Sequence, residues 1–401
     1  MLTKNELKEV ILSQREHINT FNKGTPRDKG KDLTINESFA LIITGIRRCG
    51  KSTFLNQLLQ KQKTGYYLNF EDPRLNDFEF SDFNKIEEIM KELYGEKGVY
   101  FFDEVQNVEQ WEKFIRYLVD KKEKVLVTGS NASLLSKELG TKLTGRHLQI
   151  ELFPFSFKEF LVMTNKKPST ETFEEYSSNG GFPEHIKRKN PEILHELLYD
   201  VVAKDIAVRF GIKNTTVLNK ILLHLISNAS KEFSYNSIKK MFSVKSVQSV
   251  IDYIYYFENA YLIFLVPRIS YSYKQQQINP KKVYSIDTGF SYANSVSFSK
   301  DKGKILENVV FLGLRRHWKE IFYFKEDNEC DFVVKEKEKI ISALQVCFQL
   351  TEDNKNREIK GLLECLKKFR LTEGSIITYN QEDRFLIDGK KITVQPIWKW
   401  L

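Results

Sequence analysis

The sequence contains little cysteine and no long apolar run, and both absences exclude classes of protein. Its four cysteines, Cys49, Cys330, Cys347 and Cys365, are far apart and form no Cys-x-x-Cys pair. Neither a zinc knuckle nor a disulfide framework is therefore expected. No stretch of about 18 apolar residues appears, and the charged amino terminus lacks the apolar centre of a signal peptide. We expect a cytoplasmic protein with no membrane partner.

The length and the charge of the chain indicate its broad class. A chain of 401 residues exceeds one ordinary hydrophobic core, so more than one domain is expected. Hydrophobic residues make up 41% and charged residues 29%, a balance typical of folded globular domains. The net charge of +9 favours an anionic partner such as nucleic acid. Many proteins without such a partner are also mildly basic, so charge alone decides little.

A glycine-containing loop follows the apolar residues 39–44. Gly45, Gly50, Lys51 and Ser52 match the pattern G-x-x-x-x-G-K-[ST], in which backbone N–H groups point at phosphates, the lysine bridges the β- and γ-phosphates and the serine hydroxyl binds Mg²⁺. The segment after the loop has its apolar residues on one helical face, so a helix dipole would add to phosphate binding. The predicted ATP–Mg²⁺ site consists of Gly45, Ile46, Arg47, Arg48, Cys49, Gly50, Lys51, Ser52 and Thr53.

Acidic residues end a second apolar strand further along the chain. Residues 99–102 read VYFF and are followed by Asp103 and Glu104. An aspartate at the carboxyl end of such a strand can hold Mg²⁺, and the adjacent glutamate can polarise the attacking water as a general base. A solvated acidic turn is the plainer alternative, but the phosphate-binding loop favours the catalytic interpretation.

Two further positions are candidates for contact with the γ-phosphate. The predicted strand 124–128 is followed by Gly-Ser-Asn, where either Ser130 or Asn131 could sense the phosphate and orient water. A helix N-cap at the same place is equally compatible. Arg146 opens another strand, and in oligomeric ATPases an arginine placed there can reach the nucleotide of a neighbouring subunit. A surface arginine at a strand end is the alternative.

Five segments together resemble a bacterial and archaeal branch of the AAA+ ATPases. They read GIRRCGKST, YFFDEVQNVEQWE, VTGSNASLL, LTGRHLQIELFPFSFKEF and GGFPEHI. The resemblance implies a parallel sheet with an added strand between the strands that carry the phosphate loop and the acidic pair. It also implies a helical lid after the ATPase core and an additional carboxyl-terminal domain.

The pattern after the lid predicts three helices and then two paired strands, which is the order of a winged helix-turn-helix. Residues 245–249 open the third helix with side chains that can meet phosphates and base edges. Lys239, Lys240 and Lys245 cluster there, which favours DNA over a purely structural role for the domain. The polar wing, residues 270–282, is predicted to be its most mobile part.

The last part of the chain resembles the restriction-endonuclease-like domain found in this family. Glu307, Asp331 and Gln345 carry the resemblance. Active enzymes of that class hold a metal with such residues and use a lysine two positions after the third to help activate water. Cys347 stands at that position and cannot supply the cation. The resemblance therefore implies a nuclease fold kept for binding or assembly. The closing residues, PIWKWL, alternate as on a terminal strand.

The predicted fold class is α/β with four parts. They are a P-loop AAA+ core (1–154), a helical lid (155–215), a winged helix-turn-helix (216–295) and a restriction-endonuclease-like domain (296–401). We expect an ATPase that uses ATP and Mg²⁺ to drive or switch domain motion, with DNA or a DNA-associated protein as partner and with homo-oligomers possible. The alternatives are an ATP-gated nuclease, in which Lys335 could replace the missing lysine, and a slow signalling switch that recruits a protein.

Overall fold

The computed structural model describes residues 2–21, 23–31, 33–130, 143, 145–294 and 301–401. The chain divides into two compact units, residues 1–153 and 154–401, and each is described by itself. The finer division into four parts stays a prediction. Among the described residues, no helix combines the length and the apolar character needed to cross a membrane.

Strands in the described residues of the first unit form one parallel sheet. They are β1 Ala40–Thr44, β2 Gly65–Asn69, β3 Val99–Asp103, β4 Lys124–Gly129 and β5 His147–Glu151. The order across the sheet is β2-β3-β4-β1-β5, and all neighbours pair in parallel. Every residue of β1 and β3 is buried, which explains their continuous apolar sequence. Since β4 lies between β1 and β3, the expected added strand is confirmed.

Helices cover this sheet and fix the position of its carboxyl edge. They are α1 Lys4–Thr20, α2 Lys51–Leu59, α3 Asp82–Tyr94 and α4 Trp111–Asp120. Residues of α1, α3 and α4 share one hydrophobic core with alternate residues of the strands. Within that core, the rings of Phe83 and Phe114 stack with their centroids 4.3 Å apart. The phosphate loop thus joins two elements, β1 and α2, that are held by buried apolar contacts.

The second unit begins with helices, as predicted for a lid. They are α5 Phe157–Thr164, α6 Thr170–Asn179, α7 Pro183–Arg188 and α8 Glu192–Asp200, followed by a π-helical segment at Val201–Val208. The GGFPE motif follows α6 and includes the first two residues of α7. Gly180 has a φ of +73°, and a Cβ there would overlap the carboxylate of Asp287. The N–H of Gly181 donates to the same carboxylate at 2.6 Å, and a Cβ at Gly181 would overlap the carbonyl oxygen of Phe155, so both positions require glycine.

A small antiparallel sheet follows in the second unit. The elements are α9 Thr216–Ser227, β6 Glu232–Phe233, α10 Tyr235–Met241, α11 Val247–Asn259, β7 Ile263–Pro267 and β8 Lys281–Ser285. The strand order is β6-β8-β7 in the described residues, and the predicted pairing of the last two strands is confirmed. The predicted wing contains a short helix, α12 Tyr273–Ile278.

The rest of the second unit is built on a mixed sheet. After α13 Thr288–Asn294 and α14 Lys302–Arg315 come β9 Glu320–Lys325, β10 Glu329–Glu336, β11 Lys339–Cys347, α15 Glu352–Lys368, β12 Glu373–Thr378, β13 Asp383–Ile387 and β14 Lys390–Pro396. The described strands have the order β13-β14-β12-β11-β10-β9. Strands β11, β12 and β14 pair in parallel, whereas the other neighbours are antiparallel.

The carboxyl terminus differs from the expectation. Residues Ile397–Trp400 form a short helix, not a strand, so the predicted alternation was wrong. Pro396 precedes the helix as its N-cap residue, and a proline cannot donate to a continuing ladder. The ring of Trp400 instead lies against Gly313 of α14, where a Cβ would come within 2.6 Å of the ring.

Candidate functional site

The loop between β1 and α2 has the conformation that its glycines predict. A Cβ at Gly45 would overlap the carbonyl oxygen of Leu152, and Gly50 has a φ of +100°, which side-chain-bearing residues rarely adopt. Helix α2 begins at Lys51, so its first N–H groups and the positive end of its dipole lie at the loop. The backbone therefore presents hydrogen-bond donors of the kind that cradle phosphates.

The ammonium group of Lys51 is buried within this loop, with 4% of the residue exposed. Its Nζ donates to the carbonyl oxygens of Gly45 at 3.2 Å and Ile46 at 3.4 Å. The same Nζ lies 3.5 Å from Oε1 of Glu104. A buried cation requires such partners, and the contacts place the lysine beside the second predicted motif.

Asp103 ends β3 and is fully buried. Its Oδ1 accepts a short hydrogen bond from the hydroxyl of Thr128, and Oδ2 accepts one from the hydroxyl of Tyr67 at 3.4 Å. Burial, together with the charge of Glu104, raises the pKa of Asp103 to about 6, although the hydroxyls of Thr128 and Ser52 act in the opposite direction. A carboxylate held this way is ready for a cation that offsets its burial.

Glu104 follows in a left-handed conformation, with a φ of 49°. Its N–H donates to the hydroxyl of Thr128 at 3.0 Å, and the side chain of Gln106 donates to its Oε2. Burial would raise the pKa of Glu104, but the charge of Lys51 prevails and lowers it. Non-glycine residues in this conformation cluster at functional sites, and the ionised carboxylate is a competent proton acceptor.

The oxygen atoms around Asp103 suit Mg²⁺. The carboxylate and the hydroxyl of Ser52 are hard oxygen ligands, and Mg²⁺ in nucleotide sites takes few protein ligands because phosphates and waters supply the others. The described residues contain no group of three or more His, Cys, Asp or Glu side chains that could hold a metal by itself. A cavity of about 490 Å³ lies beside Ser52 and Asp103, and Gln14 and His17 of α1 form part of its wall.

Two further residues of the loop, Arg47 and Cys49, contact neighbouring segments of the chain. Nη1 of Arg47 lies 3.1 Å from Oε1 of Glu71. Cys49 is buried, and its thiol donates to the carbonyl oxygen of Leu152 at 3.3 Å. Burial raises the pKa of Cys49, so this thiol is unsuited to nucleophilic chemistry.

Arg27 is a site residue that the sequence analysis missed. It is 5% exposed, and its guanidinium donates to the carbonyl oxygens of Cys49 at 2.8 Å and Phe153 at 2.5 Å. It thereby ties the phosphate loop to the end of the sheet. A single arginine in a polar stretch carries no sequence signal, whereas Thr128 could have been found as a polar residue near the carboxyl end of a central strand.

Of the predicted contacts to the γ-phosphate, Arg146 is not brought to this site by the described structure. Asn131 lies outside the described residues, and Ser130 is buried directly after β4. The carbonyl of Arg146 accepts from the N–H of Ala40, at the amino end of β1 and thus opposite the loop. The Arg146 guanidinium pairs with Asp120, and its side chain is 54% exposed. Its action on a neighbouring subunit stays a prediction.

The predicted nuclease-like residues form a separate cluster in the second unit. Glu307 of α14 and Asp331 of β10 both contact Nζ of Lys282, which the sequence analysis missed. Gln345 accepts from the N–H of Asp331 at 3.2 Å and donates to Glu358 at 2.6 Å.

The proposed replacement by Lys335 was wrong for a simple geometric reason. Lys335 pairs in register with Glu320 of the adjacent strand, and the two side chains form an ion pair at 3.0 Å. Cys347 donates to the carbonyl oxygen of Gln349 at 3.1 Å, and burial raises its pKa to about 11. Neither residue supplies a cation to Glu307 and Asp331.

Sequence similarity to known proteins extends over nearly the whole chain. Residues 37–161 match a family model described as an AAA domain, and residues 170–300 match a domain of unknown function, DUF8612. An uncharacterized protein of Methanocaldococcus jannaschii is 39% identical to this chain, and the alignment covers 98% of this chain and 94% of the relative. An uncharacterized protein of Haemophilus influenzae is 30% identical, and the alignment covers 90% of this chain and 94% of that relative. The chain belongs to this AAA-domain family.

The AAA-domain match contains the phosphate loop and the acidic pair of the candidate site. Among solved structures, AMPPCP-bound DnaA from Aquifex aeolicus matches with 15% sequence identity and a TM-score of 0.28. The match covers 61% of this chain and 85% of the DnaA chain. The family assignment depends on the sequence relatives and the domain model, not on that overlap. Membership of the AAA-domain family supports nucleotide binding in general terms.

Proposed function

We propose that this protein is an ATPase that binds ATP with Mg²⁺ at residues 45–53. The observation that carries the proposal is the convergence of Lys51, Asp103 and Glu104 at one end of a parallel sheet. The Nζ of Lys51 and Oε1 of Glu104 are 3.5 Å apart, although the two residues belong to motifs widely separated in sequence. The fully buried Asp103 lies next to Ser52, and both residues line the cavity of about 490 Å³ described above.

Each group has a distinct role in the proposed hydrolysis. Backbone N–H groups of the loop and Lys51 bind the phosphates, while Ser52 and Asp103 hold Mg²⁺, which neutralises phosphate charge when bound. The oxygen of a water molecule attacks the γ-phosphorus, and the bond to the β–γ bridging oxygen breaks. Glu104 accepts the proton of that water. Lys51 would leave Glu104 for the phosphates, which frees the carboxylate for this step.

Steady-state ATP turnover tests the proposal with three variants. Lys51→Ala is expected to lose nucleotide binding and turnover, because the cation for the phosphates is gone. Glu104→Gln keeps the shape of the side chain and should retain binding but lose turnover by about 10²-fold or more. Lys63→Ala, which removes an exposed lysine beyond α2, is the control. Turnover in Glu104→Gln equal to that of the wild type would remove Glu104 from the mechanism.

We further assign residues 216–295 to a winged helix-turn-helix and propose DNA as its ligand. The element order helix, strand, helix, helix, strand, strand supports the fold assignment. Around the wing, Tyr271 is 91% and Tyr273 75% exposed, and Lys274 follows them in the chain. Exposed aromatic rings beside cations suit bases and phosphates. Lys239, Lys240 and Lys245 add positive charge near the start of α11.

Binding of a fluorescent duplex at several salt concentrations tests the DNA proposal. Electrostatic binding predicts an affinity that falls steeply with salt. The double variant Lys239→Ala/Lys240→Ala should weaken binding and reduce the salt slope, whereas Lys337→Ala, in the turn between β10 and β11, should not. Addition of duplex to the ATPase assay then decides between a DNA-responsive enzyme and a switch for a protein partner.

A trans role of Arg146 is the last part of the proposal. Its exposure and its distance along β1 from the phosphate loop are compatible with contact to a second copy of the chain. Arg116 offers a matched control, because it also pairs with Asp120, at 3.8 Å, and is 50% exposed. Arg146→Ala should lower turnover at protein concentrations where oligomers form, whereas Arg116→Ala should not. Equal turnover in both variants would exclude the trans role.

The carboxyl-terminal residues 296–401 are assigned to a restriction-endonuclease-like fold. The order helix, three strands, helix, strand, with a mixed sheet between α14 and α15, supports this assignment. In this assignment, Glu307, Asp331 and Gln345 would correspond to the residues with which active enzymes of that class bind a metal.

A further inference from the structure

We propose that Lys282 is a permanent, built-in cation that occupies the acidic cluster of the carboxyl-terminal sheet in place of a divalent metal. In this interpretation the cluster is a structural tie between β8 and the mixed sheet, not a nuclease centre. The inference concerns the second unit alone, so it does not depend on ATP hydrolysis at Lys51.

The geometry around the ammonium group is the first support. Nζ of Lys282 lies 2.8 Å from Oε1 of Glu329, 2.9 Å from Oδ1 of Asp331 and 3.1 Å from Oε1 of Glu307. An ammonium group has three N–H donors, so these three carboxylates match its capacity. The distances are those of charge-assisted hydrogen bonds.

Each carboxylate of the cluster also has a second protein partner besides Lys282. The N–H of Val346 donates to Oδ2 of Asp331 at 2.9 Å, and the hydroxyl of Tyr284 donates to Oε1 of Glu307 at 2.7 Å. Nζ of Lys325 lies 3.3 Å from Oε2 of Glu329. All three carboxylates are thus paired with groups of the protein, as expected of a structural cluster and not of a catalytic metal site.

Burial also supports a structural role, because surface ion pairs are exposed to water whereas this cluster is not. Lys282 is 3% exposed and Asp331 7%. A buried charge without partners is very unfavourable, so Lys282 cannot leave the cluster without an equivalent cation replacing it. A scissile phosphate would also need access to these groups.

The position of Lys282 in β8 lets this residue connect the strand to the mixed sheet. Lys282 and Tyr284 are two residues apart in β8 and therefore point to the same side. The ring of Tyr284 stacks on Phe311 of α14, with centroids 4.4 Å apart. Strand β8 thus contributes one cation, one hydroxyl and one apolar ring to the same face, and all three contact elements of the mixed sheet or its helix.

Thermal unfolding of the full chain with and without Mn²⁺ tests the proposal. The wild type should show no Mn²⁺-dependent shift in its second unit and no metal-dependent plasmid nicking. Lys282→Met keeps an unbranched side chain, one atom shorter, but removes the charge, so Mn²⁺ should raise its unfolding temperature. The control Lys335→Met, on the neighbouring strand β10, should behave as the wild type.

Two further variants test whether the Mn²⁺ response depends on the carboxylates and on the missing cation. Adding Asp331→Asn to Lys282→Met should abolish the Mn²⁺ response, and Lys282→Arg should remain unresponsive because it retains a cation. Nicking or Mn²⁺ binding by the wild type that disappears in Asp331→Asn would overturn the proposal, even if Lys282→Met does not fold. A folded Lys282→Met that ignores Mn²⁺ would overturn it as well.

Discussion

The hydroxyl of Thr128 contacts both acidic residues of the ATP site, the carboxylate of Asp103 and the backbone N–H of Glu104, so its removal should affect them together. It donates to Asp103 and accepts from the N–H of Glu104, and the residue is fully buried. Thr128→Val preserves the shape of the side chain and removes only these two hydrogen bonds. The change therefore isolates the contribution of the hydroxyl.

The magnitude follows from the two lost interactions. A hydrogen bond to a charged group contributes about 1.5–3 kcal/mol, and a buried N–H without a partner costs about 1–3 kcal/mol. We expect the free energy of unfolding to fall by about 3 kcal/mol, since the Glu104 N–H and the Asp103 carboxylate relax only partly. Tyr67→Phe, which removes a longer contact of 3.4 Å to Asp103, should cost less than about 1 kcal/mol.

The same variant should change the metal requirement. The Thr128 hydroxyl lowers the pKa of Asp103, which burial holds at about 6. Without the hydroxyl that pKa rises, more of the carboxyl is protonated near neutral pH, and Mg²⁺ binds less well. Urea unfolding and the Mg²⁺ concentration for half-maximal ATP turnover measure the two effects. If both equal the wild-type values, Thr128 does not organise the acidic pair.

The other predictions concern the loop and the GGFPE motif. Arg27→Ala should weaken ATP binding several-fold in a fluorescence titration, because Cys49 loses the guanidinium that positions the loop; unchanged affinity would contradict this. Gly180→Ala should lower the urea midpoint more than Gly211→Ala, since both have positive φ but only Gly180 faces an overlapping atom; equal midpoints would refute the packing argument. Burial raises the pKa of Asp287 to about 7, so the stabilisation due to its protonated form is complete below about pH 4 and is lost as pH rises through 7. The stability of the wild type relative to Asp287→Asn should accordingly fall between those pH values, and a flat difference would contradict the shift.

The sequence was sufficient for the features that are contiguous in the chain. The phosphate loop lies between a buried strand and a helix, and its glycines dictate the backbone locally. The acidic pair could be placed because carboxyl ends of parallel strands meet at one edge of a sheet. The order of the strands followed from the family resemblance, not from the residues.

The missed residues act through contacts between distant parts of the chain. Arg27 reaches Phe153, and Lys282 reaches Asp331, and no local pattern links either pair. Lys335 was a reasonable candidate by chemistry, but the strand register places it opposite Glu320. The alternation of Trp398 and Trp400 suggests a strand, but Pro396 ends the hydrogen-bond ladder of β14 and a helix follows.

The contacts of Lys51 bear on how ATP affinity should be interpreted. Its ammonium group already has protein oxygens as partners, namely two loop carbonyls and the carboxylate of Glu104. Nucleotide binding is then an exchange of partners, in which phosphate oxygens compete with groups of the protein itself. The measured affinity reports the difference between two sets of contacts, so a variant that weakens the internal set can bind ATP more tightly while hydrolysing it more slowly.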